Sequence, residues 1–442
     1  MTQRRDALVE YLRGALWTLP GLAAVAALVV GAGLSQIRIS DRSRFRWLVF
    51  QGTADDARTL LIGIAGTMIT VIALVLGLTV VALQLSSTQY SPRLLRNYLR
   101  DRPNQIVLSI FVAAFAYSTA GLYTVGVSAG ARTTDFPRLA VAGALVLAFL
   151  SLGALVFAVH HLARSMQIDQ IMRVVERNTL SAIPDARSEH PGDLPDVPAW
   201  AAAVPAAHTG YIQVVRARPL LEAAESMSLT IRLQPRVGEH IVPGTPIAWA
   251  WPSGVDQHLV EIAAVADAIE RTVRIGFERT LEQDPALGIR QLVDIASKAL
   301  SPAVNDPYTA VQALHHLTVL IGALSNQPLG PQVYRAGAGA VALPGYTYAD
   351  YLDLACAQIR RYGASEPTIS VQLLQMLHAA ARLTGDPTRR LAIGDQAALI
   401  LADAQREIAQ PGDVAAVRAA YAELLDAIEL ASDTSSTRSV GN

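Results

Sequence analysis

Leu60–Leu85 is an unbroken apolar run without a charged residue, and no other feature limits the fold as much. About 20 helical residues cross the hydrocarbon of a bilayer. Inside it every backbone N–H and C=O must be satisfied within the segment, which a helix achieves. Three further runs reach the same length, about Leu16–Leu34, Ile106–Val127 and Leu139–Leu162. One such run alone reads equally well as a buried soluble helix. Four of them read as a transmembrane domain over residues 1–162, expected to be organised around the second.

Composition agrees with a membrane protein. Hydrophobic residues make up 52% of the 442 residues, and mean hydropathy is +0.32, both high for a soluble chain of this length. A formal net charge of −1 leaves no dominant acidic or basic tail, and no basic aromatic patch points to nucleic acid. Lys298 is the only lysine among many arginines; with abundant alanine this suggests a GC-rich bacterial genome. Cys356 is the sole cysteine, which excludes an internal disulfide and a multi-cysteine metal site. Arg4, Arg5 and Arg13 precede the first run, but no small-residue cleavage site closes it, unlike a cleavable signal.

Arginines gather on the side of the chain ends: Arg4, Arg5 and Arg13, then Arg93, Arg96, Arg100 and Arg102, then Arg164, Arg173 and Arg177. The positive-inside rule therefore favours a bacterial inner-membrane protein with both termini cytoplasmic. Arg38, Arg42, Arg44, Arg46 and Arg58 in the first loop, with Arg132 and Arg138, run against that bias.

Beyond the fourth run the pattern becomes soluble. Residues 163–206 read as an exit helix (Ala163–Ser181) followed by a Pro-, Asp- and Gly-containing linker. Residues 207–254 read as a small β barrel or sandwich, with strands at Tyr211–Val215 and Leu229–Leu233. Val237–Ala248 resembles half of a biotinyl- or lipoyl-type sandwich without the carrier lysine, so a carrier role is out. Residues 255–430 read as a mainly helical cytoplasmic domain, with helices over Asp256–Val273, Ala286–Leu300 and Asp306–Leu324, then a hairpin within Gln332–Leu343. Residues 431–442 read as a polar, disordered tail. The expected fold class is thus four transmembrane helices plus a soluble α+β domain.

Three sets of residues invite a chemical reading. Gly63, Gly66, Thr70, Ala73 and Gly77 recur at three- and four-residue spacing, so they share one face of the second run. Such a face lets membrane helices pack closely. Together with Thr67, Thr79 and Gln84 it also offers hydroxyl and amide groups to a pore, where they replace part of an ion's hydration shell. No Asp, Glu, Lys or Arg lies well inside any run, which argues against proton-coupled transport. Arg93, Arg96, Arg100 and Arg102 follow the second run and read as a segment at the lipid headgroups or a gate. The third set lies between Arg274 and Asp306: Arg274, Glu278, Glu282, Asp284, Arg290, Asp294, Ser301, Asn305 and Asp306. Arg290, Asp294 and Lys298 step along one helix face, usually a solvated ladder. The polar groups around it suit helix caps and ion pairs, or a ligand or subunit site.

No nucleophile elbow, P-loop, dinucleotide fingerprint or zinc signature occurs, so no enzyme activity, cofactor or metal is expected. Adjacent histidines, His160-His161 and His315-His316, point about 100° apart on a helix and do not share a metal easily.

Two long stretches carry a resemblance. Ile64–Thr70 through Val80–Ser87, with Ser91–Asn97 and Asp101-Arg102, form the first; Gly288–Ala296 and Ala299–Ala310 form the second. Both resemble bacterial predicted membrane proteins grouped as domain of unknown function 2254. The resemblance implies an integral membrane protein with a soluble C-terminal part, and it transfers no catalytic residue. The expected function is a homo-oligomeric channel or channel-like protein in the lipid bilayer with a cytoplasmic regulatory domain; the alternative is a membrane-anchored sensor or scaffold.

Overall fold

The computed structural model describes residues 17–36, 49–89, 102–128, 136–165, 167–254 and 259–438. It divides into two compact units, Met1–Gln170 and Ile171–Asn442.

The first unit holds four helices long and apolar enough to cross a membrane: α1 (Thr18–Gln36), α2 (Ala54–Gln89), α3 (Arg102–Ser128) and α4 (Arg138–Ser165). α2 starts ahead of its apolar run because Thr53 and Asp56 cap it reciprocally. The Thr53 N–H donates to Asp56 Oδ2 at 2.9 Å, and the Asp56 N–H to Thr53 Oγ1 at 3.2 Å. With 36 residues at about 1.5 Å each, α2 is longer than the roughly 30 Å of bilayer hydrocarbon.

α3, not α2, is the element the others pack on: it contacts α1, α2 and α4. Its Phe111 and Ala114 are fully buried. Tyr117 reaches across to α4, where its hydroxyl donates to Ala140 O at 2.9 Å. A Cβ at Gly143 would lie 2.5 Å from that hydroxyl, so the glycine is what lets the ring in. The uncharged run Leu60–Leu85 within α2 marks a spanning helix, but the centre of a bundle is set by which helix has apolar or small residues on every side.

The boundary between the two units falls inside α5 (Ile168–Ala182), which overlaps the expected exit helix. The stretch after it is docked, not free. Ser188 N–H donates to Pro328 O at 2.7 Å, Val333 N–H to His190 O at 2.9 Å, and Arg232 Nη1 to Pro195 O at 2.7 Å. Its composition reads as linker; its backbone groups are satisfied by partners far along the chain.

Two sheets follow. One runs in the order β1 (Ala202–Pro205), β5 (Pro246–Pro252), β3 (Leu229–Leu233), β8 (Gly339–Leu343), β7 (Gln332–Ala336); the other in the order β4 (His240–Ile241), β2 (Gly210–Val215), β6 (Val273–Gly276). Pairing is antiparallel except between β3 and β8. Neither sheet closes, so the expected barrel is absent, and the β structure is not confined to 207–254. The reason is burial: β3 is buried at four of its five positions, and its free edge needs a strand that only the hairpin β7–β8 supplies, about a hundred residues on. α6 (Ala217–Ser226) and α7 (Ile262–Thr272) complete this core with Leu220, Val265 and Ile269. α7 starts later than Asp256; residues 255–258 lie outside the described residues.

Six helices make the rest: α8 (Pro285–Ala299), α9 (Pro307–Leu324), α10 (Tyr348–Gly363), α11 (Pro367–Leu383), α12 (Pro387–Glu407) and α13 (Pro411–Arg438). Proline at the first turn needs no N–H partner there, and Asp284, Asp306 and Asp386 cap α8, α9 and α12. α13 is helical to Arg438; residues 439–442 lie outside the described residues.

Candidate functional site

On α2, Ala57, Leu61, Ile64, Ala65 and Met68 are buried against neighbouring helices. The face bearing Gly63, Gly66, Thr67, Thr70, Ala73 and Gly77 is exposed. A Cβ added at Gly63, Gly66 or Gly77 would meet nothing within 4 Å. Among the described residues, nothing packs on this small face at its three glycines. Its hydroxyls donate back along the helix, Thr67 to Gly63 O at 2.7 Å, Thr70 to Gly66 O at 3.4 Å and Thr79 to Val75 O at 2.8 Å, leaving oxygen lone pairs as acceptors. Gln84 is also exposed. Leu61, Phe111 and Tyr117, each at most 2% exposed, fill the interior of the four helices. Arg102 opens α3; Arg93, Arg96 and Arg100 lie outside the described residues.

The polar stretch from Arg274 to Asp306 resolves into separate structural jobs. Asp284 is 2% exposed and caps α8, accepting from Leu287 N–H at 3.2 Å. Arg279 donates to both its oxygens, at 2.8 and 2.9 Å. Burial raises the Asp284 pKa above the ordinary carboxylate value, while Arg279 and the Leu287 N–H pull against it. Gly238 (φ 89°) leaves room for this pair. Arg274 pairs with Glu282 at the surface. The Glu278 carbonyl accepts from Gln213 Nε2 at 2.8 Å. Arg290 donates to Gln358 Oε1 at 2.9 Å on α10. Asp294 and Lys298 are half-buried on α8, and Ser301 Oγ donates to Lys298 O at 2.7 Å. Asn305 takes the left-handed conformation (φ 49°) in the turn before α9, which Asx side chains tolerate best. Asp306 accepts from Thr309 N–H at 3.1 Å and Oγ1 at 2.6 Å; these bonds lower its pKa.

Asp284 is the one member of that set that lines the large cleft of the second unit, about 380 Å³. One wall is the docked strap, with Asp185, Arg187 and Glu189; the facing wall is the end of β2 and the start of α6, with Arg216 and Arg218. The floor includes Tyr334, Tyr346 and Tyr351, whose pKa values burial raises, so they keep their protons. Arg236 also lines it, paired with Asp350 at 3.1 Å and stacked 4.9 Å over Tyr346. Gln283 fixes the β2–α6 junction from behind: its Oε1 accepts from Val215 N–H at 2.9 Å. These arginines and tyrosines are spread over 187–351 with no regular spacing, and only Arg216-x-Arg218 at a strand–helix junction offered a local signal.

Residues 13–379 match the family described as Predicted membrane protein (DUF2254). The chain belongs to that family. Uncharacterized proteins of Mycobacterium tuberculosis and Mycobacterium bovis are 43% identical to it over 440 residues, covering 97% of this chain and 84% of theirs. No solved structure matches. Both the α2 face and the cleft of this DUF2254 protein fall inside the matched range.

Proposed function

We propose that this DUF2254 protein self-associates in the bacterial inner membrane through the outward face of α2 and forms a channel-like assembly, with both termini and the soluble unit cytoplasmic. One observation carries the reading: among the described residues, a Cβ at Gly63, Gly66 or Gly77 would have no neighbour within 4 Å, and Thr67 and Thr70 beside them are exposed. Small residues allow two backbones to approach closely, and that contact is the main source of helix association in lipid. A single chain has its interior filled by Phe111, Tyr117 and Leu61, so a conduction path runs between copies.

Cysteine cross-linking tests the association. Cys356 is fully buried, and burial pushes its thiol up to about 12, so it stays silent to an oxidant. Thr70→Cys is expected to give disulfide-linked dimers in native membranes, and Met68→Cys on the buried face none. Planar-bilayer recording tests conduction: Thr67→Leu and Thr70→Leu are expected to reduce the unitary current. Wild-type currents in both variants would remove α2 from the pore. The second reading, a membrane-anchored sensor or scaffold, is favoured by the cleft.

A further inference from the structure

Three arginines converge on one cleft without carboxylate partners. Arg216, Arg218 and Arg187 all line it, all are exposed, and among the described residues none has an ion pair within 4.0 Å; Arg187 Nε donates to Pro184 O at 3.2 Å instead. Arg216 is the N-cap of α6 and makes no side-chain cap bond, and Arg218 stands in the first turn. Cations at a helix N-terminus oppose its dipole, and the arrangement becomes favourable when an anion sits among them. Guanidinium groups suit phosphate in particular, since their donors pair with its oxygens two at a time.

The rest of the cleft gives the body of the ligand. Asp185 and Glu189 stand on the strap wall and take hydroxyl donors, not anions. Gln332 braces this wall: its Oε1 accepts from the Glu189 N–H at 3.3 Å and the Tyr334 hydroxyl at 2.5 Å. Tyr346 and Tyr351, kept protonated by burial, line the cleft together with Leu233, Val237 and Leu343. A cleft of about 380 Å³ is in the range of small-molecule sites.

We propose that this cleft binds a phosphate ester of a small hydroxylated molecule, the phosphate among Arg187, Arg216 and Arg218 and the hydroxyls toward Asp185 and Glu189. The inference stands independently of any channel. The shared chemistry admits a free ester or a lipid headgroup such as an inositol phosphate.

The test is calorimetric titration of the full-length protein in neutral detergent with inorganic phosphate and with ribose 5-phosphate. The ester is expected to bind one per chain and at least tenfold tighter than inorganic phosphate. Arg216→Gln/Arg218→Gln is expected to weaken both probes at least tenfold. Glu189→Gln is expected to weaken only the ester. These side chains are exposed, so an unchanged melting temperature should accompany each variant. No binding of either probe at 10 mM, equal affinity for both, or binding indifferent to the arginine variant would each overturn the proposal. Repeating the ester titration in nanodiscs with and without phosphatidylinositol separates the sources: competition by the lipid assigns the site to a headgroup, and its absence to a free ester.

Discussion

Asp306 shows at residue scale how a motif resembling a family signature earns its place by capping. Its carboxylate holds the Thr309 N–H and hydroxyl at the start of α9, and those bonds hold its pKa below the ordinary 3.8. Replacing a capping Asp by Ala costs about 1 kcal/mol, so Asp306→Ala should lower the melting temperature at pH 7. The sign with pH follows. A depressed carboxyl pKa gives stability that is present above the unfolded value and lost as pH falls through the folded one. The gap between wild type and Asp306→Ala in thermal melts should therefore close below about pH 3.8. A gap that persists at pH 2 would count against the cap. Pro307 marked the start of α9 in the sequence with Asn305 or Asp306 as its cap; the cap is Asp306, and Asp284 does the same for α8. The Arg279 partner of Asp284 was not legible, because pairing at the foot of a cleft depends on Gly238, more than forty residues upstream.

At the scale of elements, the contact between α5 and α8 rests on one position. A Cβ on Gly288 would lie 1.7 Å from Thr179 Oγ1 and 2.8 Å from Thr179 Cβ. Both residues are buried, Thr179 fully so with its hydroxyl donating to Val175 O at 2.6 Å. Overpacking of this kind costs about 1–3 kcal/mol. Gly288→Ala should lower the melting temperature measured by circular dichroism, and Thr179→Ala in the same chain should restore part of the loss. A double variant no more stable than Gly288→Ala would place the strain elsewhere. Individual strands were readable where alternation is strict, as in β2 and β3, and the β7–β8 hairpin was readable from its length. Their pairing was not. The parallel match of Thr230–Arg232 with Ala340–Ala342 brings together residues whose local patterns carry no mark of each other, so a small barrel or sandwich over 207–254 looked sufficient.

For the whole molecule, the two units have separate cores. Phe111, Leu61 and Tyr117 belong to one; Ile212, Ile231, Leu233, Val265 and Val341, each at most 2% exposed, belong to the other. A truncated chain beginning at Ile168 should therefore be soluble, with a single cooperative melt and full helical and sheet content by circular dichroism. Aggregation or a non-cooperative melt would mean that the soluble unit borrows its stability from the membrane. Membrane residence was legible from four runs because the bilayer constrains length and polarity together. The face α2 turns outward was not, since periodicity gives a face but no direction.

The strap has a mechanical side. It is the stretch of chain between α5 and the sheets, and it also forms a wall of the cleft. Its attachments, Ser188 to Pro328, His190 to Val333 and Gly192 to Pro331, are a few backbone bonds borne side by side, like stitches along a seam. Loosening the seam would widen the cleft, and a molecule wedged there would stiffen the seam in return.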